Sequence, residues 1–299
     1  MDDPIVGFIG AGAVGKGLAL GLASSGYRVL AVSSRSLSSA EGLAARIPGC
    51  LALSDPQKVA DRCDLIFITT PDEAIEQVAS QVLWHRGQGV VHCSGAESLG
   101  ILDPAAGAGA ITGSFHPFQT FACLETPEEA VERMEGSTLS VEGRCWILDT
   151  LKEMASRLGG RAILLSPEDR AIYHASAVMS CGHLVALVKA AVDVWESMGV
   201  PQEEALPIIL PLAKSTLANV SRAGAYASLT GPIARGDTAT LSAHLQALED
   251  RIPRLIPLYC ALSGESLPLA EDRVSREKLE EMDRMFNDFM VRHVSETPG

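Results

Sequence analysis

The sequence predicts an α/β chain of two domains: a doubly wound parallel sheet with helices on both faces, then an all-α domain. Three observations predict it. Short apolar runs alternate with helical spacing through the first half, the order that makes a parallel sheet. From Glu168 onward the segments are long and helical, with no convincing alternating strand. The length, 299 residues, is two domains' worth at about 150 residues each. The boundary is expected at Ser166-Pro167, which gives domains 1–166 and 167–299.

The elements follow in order. Residues 5–9 are an apolar run stopped by Gly10, a buried strand; residues 14–25 have helical spacing, and Gly26 ends that helix. Strands are expected at 27–32, 50–53, 65–69, 89–92 and near 110–115, with helices at 41–47, 59–62 and 72–83 between them. Strands at 138–141 and 162–165 flank a helix at 145–158. Beyond the boundary, 169–198 reads as one helix of about 30 residues, roughly 45 Å long. Further helices are expected at 203–223, 239–260 and 273–294, the first two interrupted by Pro207, Pro211, Pro253 and Pro257.

Composition excludes several classes. The chain carries 24 Lys+Arg against 37 Asp+Glu, a net −13, so bulk charge gives it no attraction for nucleic acid or anionic lipid. Its seven cysteines are scattered and none forms a C-x-x-C pair, so neither a metal site nor a redox motif is signalled. Asp2 and Asp3 stand where a secretory signal would be basic. The uncharged run 171–188 approaches a membrane span in length, but its His and Ser residues point to a buried helix in a soluble, cytoplasmic protein.

Seven of the 27 glycines fall within the first 26 residues. Gly10-Ala11-Gly12-Ala13-Val14-Gly15 is a G-x-G-x-x-G between a predicted strand and a predicted helix, the context that gives this motif meaning. Gly10 permits the tight turn, Gly12 lets backbone approach a pyrophosphate, and Gly15 lets helix and strand pack closely. The second strand ends in Ser33-Ser34-Arg35-Ser36, an arginine among hydroxyls where NAD sites carry an acid, so NADP(H) is the expected cofactor. Thr69-Thr70-Pro71 and the loop holding Ser94 end two later strands and are expected along the same crevice.

These residues have a resemblance. The first half resembles the NAD(P)-binding domains of the 6-phosphogluconate dehydrogenase-like superfamily. More specifically, His92-Cys93-Ser94-Gly95, GSFHPFQTF at 113–121, Tyr-His-Ala-Ser-Ala at 173–177 and LTGPIARGD at 229–237 are similar to Rossmann-like proteins with a DUF2520 C-terminal domain. The resemblance implies a Rossmann-type domain followed by a helical domain that builds a homodimer, with the active site between domains. The K-x-x-N motif of β-hydroxyacid dehydrogenases is absent, because Val192 follows Lys189 and Leu217 follows Lys214 at that spacing.

Hydride chemistry needs a proton donor or acceptor beside the substrate, and histidine suits neutral pH. His116 follows a strand and precedes Pro117, which places it at the edge where a nicotinamide lies; a similar His-Pro in prephenate dehydrogenases contacts the substrate hydroxyl. His174 is the second candidate. It stands nine residues from His183, on nearly the opposite face of one helix. Gln119 and Thr120 are candidates for substrate hydrogen bonds, and Arg235 for an anion, although Asp237 also reads as a helix cap. The expectation is an NADP(H)-dependent oxidoreductase acting on a small C=O or C=N substrate. A prephenate- or β-hydroxyacid-type dehydrogenase and a non-catalytic NADP(H) sensor are the alternatives.

Overall fold

The computed structural model describes residues 3–294. The chain divides into two compact units, the first running to Gly182 and the second starting at His183. The first unit therefore reaches past residue 166, where the sequence pattern turns from alternating strands and helices to helices alone, and takes in one further helix.

That unit is built on eight strands: β1 (Val6–Ile9), β2 (Val29–Ser33), β3 (Leu51–Leu53), β4 (Leu65–Ile68), β5 (Gly89–His92), β6 (Ile111–Pro117), β7 (Thr138–Gly143) and β8 (Arg161–Leu164). Its helices are α1 (Ala13–Ser24), α2 (Leu37–Ala44), α3 (Pro56–Ala60), α4 (Asp72–Gln81), α5 (Asp103–Gly107), α6 (Pro127–Met134), α7 (Cys145–Arg157) and α8 (Arg170–Ser180). Every strand expected from the sequence is present. The sheet order is β3-β2-β1-β4-β5-β6-β7-β8, so the chain reverses direction of travel between β1 and β4, where such sheets bind ligands. Pairing is parallel from β3 through β6. The sheet is not wholly parallel, however: β7 runs antiparallel to β6 and parallel to β8.

Side-chain alternation sorts the strands into two faces. Phe8, Phe67, Val91 and Phe115 join a core with α1 and α7, while Ile66, Ile68 and Val90 join another with α4. Both faces of β4 and β5 are covered, which is why those strands read as continuous apolar runs rather than alternating ones. The same alternation puts His92, Ser114 and His116 together on the second face. His92 pairs in register with Ser114, Ser114 with Glu142, and His116 with Ser140.

The helices continue as α9 (Gly182–Glu196), α10 (Gln202–Ser228), α11 (Pro232–Arg235), α12 (Thr238–Arg251), α13 (Ile256–Ser266) and α14 (Arg276–Val294). In the second unit Leu241, Leu245, Ile256, Cys260, Met282 and Phe286 form the core. Buried Asp193 of α9 ties in Lys189 and, at 2.7 Å, Arg254. Asp237 caps α12 by accepting from the Thr240 N–H at 3.1 Å.

Three helical expectations are corrected. The stretch 169–198 is not one helix, because Cys181, at φ −120 and ψ −74, separates α8 from α9. Nor is the uncharged run 171–188 buried: Ile172, Met179 and Val185 are each at least 65% exposed, so this apolar surface is not covered by the described residues. Pro207 and Pro211 do not interrupt α10, which departs from helical geometry instead at Gly224, φ 78.

Candidate functional site

The glycine turn forms a cradle. After β1 the chain passes Gly10 at φ +120, in the region glycine favours, and a Cβ there would lie 2.6 Å from the Thr69 backbone. The Thr69 hydroxyl donates to the Gly10 carbonyl at 2.8 Å, so the end of β4 clamps the turn. A Cβ on Gly15 would sit 2.5 Å from that same carbonyl oxygen, so α1 packs directly against the turn. At Gly12 the nearest atom to an added Cβ is 4.0 Å away, and the turn is open on that side. Gly12 caps α1 without a side-chain bond, and no acid stands in the first turn. The N–H groups that begin at Ala13 and Val14 are left for a ligand, with the positive end of the helix behind them.

A cleft of about 780 Å³ runs along this turn, lined also by Ser33, Ser34, Arg35, Thr69, Thr70 and Pro71. The Ser33 and Thr70 hydroxyls are buried without a partner among the described residues, an arrangement that costs about 1–3 kcal/mol per group unless something binds them. Arg35 is exposed and makes no hydrogen bond or ion pair among the described residues. The donor set fits a dinucleotide: N–H groups for a pyrophosphate, hydroxyls for ribose, and a free guanidinium at the end of β2. Ser94 serves the loop instead, donating to Asp72 at 2.8 Å and accepting from the Ala96 and Glu97 N–H groups.

The second cluster lies along the same strand-end edge, where side chains from the first turn of α8 reach β6 and β7. Nδ1 of His116 is 2.9 Å from the Tyr173 hydroxyl. The ring of His174 lies 6.1 Å from that of His116, centroid to centroid, so the structure brings the two expected histidines together. Gly95 makes room for both: a Cβ there would meet His116 Nε2 at 2.7 Å and His174 Cδ2 at 2.8 Å. Arg170 lies beneath, 2% exposed. It donates to the Ser114 hydroxyl at 2.9 Å and pairs with Glu142, while its Nε and Nη1 have no partner among the described residues.

This environment keeps His116 and His92 neutral. Burial, then the His174 and Arg170 charges, push the His116 pKa down to about 4, against a weaker pull from Asp72. His92, with no exposed surface, is pushed down to about 3 by burial, Arg170 and His116. Burial raises the Tyr173 pKa, while Ser140 and the Arg170 charge oppose the rise.

Other candidates lie apart from this chemistry. The Gln119 amide donates to the Arg133 carbonyl at 2.8 Å, and its oxygen accepts from the Thr120 N–H, so both residues shape the loop leading to α6. Arg235 is exposed in the second unit, at the end of α11. His183 is exposed at the start of α9, beyond the break at Cys181. The sequence reading missed Arg170, Tyr173 and His92 as members of the cluster.

Comparisons with known proteins agree with this architecture. Residues 3–117 match a Rossmann-like domain, and residues 137–266 match DUF2520, a domain of unknown function. His116 lies in the first match; Arg170 and Tyr173 lie in the second. Among solved structures, the chain is similar to a candidate NADP oxidoreductase from Bacteroides fragilis, with 25% identity and a TM-score of 0.72, covering 89% of this chain and 98% of that one. A Thermotoga maritima protein follows at 24% identity and TM-score 0.69, covering 90% and 99%. A 1-pyrroline-5-carboxylate reductase from Streptococcus pyogenes shares the fold at 15% identity and TM-score 0.61, covering 94% and 99%. No curated protein matches the chain.

Proposed function

We propose that this chain, in which a Rossmann-like domain is joined to a DUF2520 domain, is a cytoplasmic NADP(H)-dependent oxidoreductase acting on a small C=O or C=N substrate. The observation that carries the reading is the shared edge: the glycine cradle and His116 both stand where the parallel strands end. A nicotinamide cofactor, when bound, supplies or takes the hydride. The chain's residues do the rest. The α1 N-terminus and the glycine turn hold the pyrophosphate, Ser33 and Thr70 offer hydroxyls, and Arg35 meets the 2′-phosphate. His116 gives or takes the proton at the substrate heteroatom, with His174 beside it. The Bacteroides likeness supports the cofactor class, and seven free cysteines suit a reducing compartment.

The same reading includes a second copy of the chain, paired through the helical unit. Val185, Leu187, Leu212, Leu217 and Tyr226 on α9 and α10 are exposed apolar side chains. Ala205 is the one buried residue of α10.

Fluorescence titration with NADPH and NADH tests the cofactor. NADPH should bind more tightly, and Arg35→Ala should weaken NADPH about 10- to 100-fold, the worth of a charge-assisted bond to phosphate, while leaving NADH unchanged. Equal binding of both cofactors would remove the 2′-phosphate role. Oxidation of NADPH against keto acids, aldehydes and imines tests the reaction. Tight binding without turnover of any of them would favour the non-catalytic sensor.

A further inference from the structure

A neutral imidazole carries one N–H, and the bond made by one ring nitrogen decides what the other can do. Nδ1 of His116 is committed to the Tyr173 hydroxyl at 2.9 Å. On His116 that hydroxyl's one proton has two acceptors within reach, Nδ1 and the carbonyl oxygen at 3.4 Å, and the shorter contact is the better bond. Nε2 is then the protonated nitrogen, on the side of the ring that abuts Gly95 in the loop after β5. Tyr173 is fixed in this pose from two sides. Its ring packs against Phe118 with centroids 5.4 Å apart and meets the His116 ring edge-on at 5.6 Å.

We propose that Tyr173 is a positioning residue acting through His116: its hydroxyl holds the imidazole as the Nε2–H tautomer and replaces, at Nδ1, the proton that Nε2 gives to the substrate. The inference rests on the proton-transfer role of His116 proposed above. In the reducing direction the C=O or C=N π pair moves onto the heteroatom as the carbon is reduced. The heteroatom takes the Nε2 proton, the Nε2–H pair shifts into the ring, and Nδ1 takes the Tyr173 proton. The imidazole ends neutral as the Nδ1–H tautomer, and the charge rests on the phenolate. Arg170, three residues earlier on α8 and anchored on Ser114 and Glu142, faces that charge and favours it. Water reprotonates the phenolate after product leaves. The charged and titratable groups facing His116 are His92, Arg170, His174, Tyr173 and Asp72. Burial and the cationic Arg170 keep it from becoming imidazolium at neutral pH, which is why a neutral relay rather than a charged acid is the route.

The test begins on the full-length protein without substrate. Long-range ¹H–¹⁵N spectra of ¹⁵N-histidine-labelled protein, assigned with His116→Asn, report which ring nitrogen holds the proton. At pH 7 the wild type should show Nε2–H, with Nδ1 shifted by an accepted hydrogen bond. In Tyr173→Phe the Nδ1 signal should move to the value of a free acceptor, with the ring still neutral and the circular dichroism unchanged. With any substrate that turns over, Tyr173→Phe should lower kcat about 100-fold, the lower end for a positioned proton transfer, with KM and NADPH affinity little changed. A proton on Nδ1 in the wild type, or a Nδ1 signal indifferent to Tyr173→Phe, overturns the proposal. Absence of NADPH binding would overturn the enzyme reading and leave the tautomer result standing, so the two failures are separable.

Discussion

His92 ends β5 with no exposed surface and with neither ring nitrogen partnered among the described residues. Its pKa near 3 and that of His116 near 4 both lie below the ordinary 6.5. Between those values and 6.5 the unfolded chain binds more protons than the folded one, so stability rises with pH across that window. The contribution of each histidine is present above pH 6.5 and is lost as pH falls toward its folded pKa, at up to about 1.4 kcal/mol per pH unit. Urea unfolding from pH 7 to pH 4 should therefore show a steep acid loss. His92→Leu, which fills similar volume without a titrating group, should flatten it; an unchanged slope would mean that His92 is not held neutral. Legibility at this scale was uneven. His116 could be found because Pro117 follows it after a strand. Arg170 could not, because in the sequence it merely closes an uncharged run. Its partners Ser114 and Glu142 lie 56 and 28 residues away, and Tyr173 lies 57 from His116. No local pattern encodes contacts across that distance.

Gly15 of α1 and Gly42 of α2 both stand at helical positions, and the two have opposite expected effects on substitution. At Gly15 an added Cβ would lie 2.5 Å from the Gly10 carbonyl oxygen and 2.6 Å from Thr69 Oγ1. Gly15→Ala must push α1 off the turn, so it should cost about 1–3 kcal/mol of stability and weaken NADPH binding by the same displacement. At Gly42 nothing lies within 4 Å of an added Cβ, so Gly42→Ala gains helix propensity and should stabilise by about 0.5–1 kcal/mol. Thermal unfolding and NADPH titration of the two variants separate these outcomes, and a neutral Gly15→Ala would show that the close approach is not needed. The strands were legible because burial on both faces makes their apolar runs continuous, as in Leu65–Ile68. The direction of β7 was not legible. Thr138–Gly143 reads as a strand either way, and its orientation depends on how the chain returns through α6. The break at Cys181 was hidden for a related reason, since Cys181 is not a helix breaker and a lone glycine such as Gly182 is tolerated within a helix.

At the scale of the whole molecule, net charge and apolar exposure act against each other. Two copies of a chain at −13 repel, yet residues 171–188 carry no charge, and from 205 to 221 the one charged residue is Lys214. Leu212 is 74% exposed and Leu217 53%, an apolar surface of the kind that marks an interaction site. An uncharged patch offers nothing for a charged partner to recognise, whereas a twofold axis lets it pair with itself. The chain should therefore sediment at twice its 31.5 kDa, and the dimer should tighten as salt rises, because screening weakens the repulsion between copies and leaves the apolar contact intact. Leu212→Glu with Leu217→Glu should give a folded monomer by sedimentation and circular dichroism, since both side chains already face water in the single chain. Loosening of the wild-type dimer by salt would point to an interface of ion pairs elsewhere on the surface. Retention of the dimer in the double variant would clear α10 of the role.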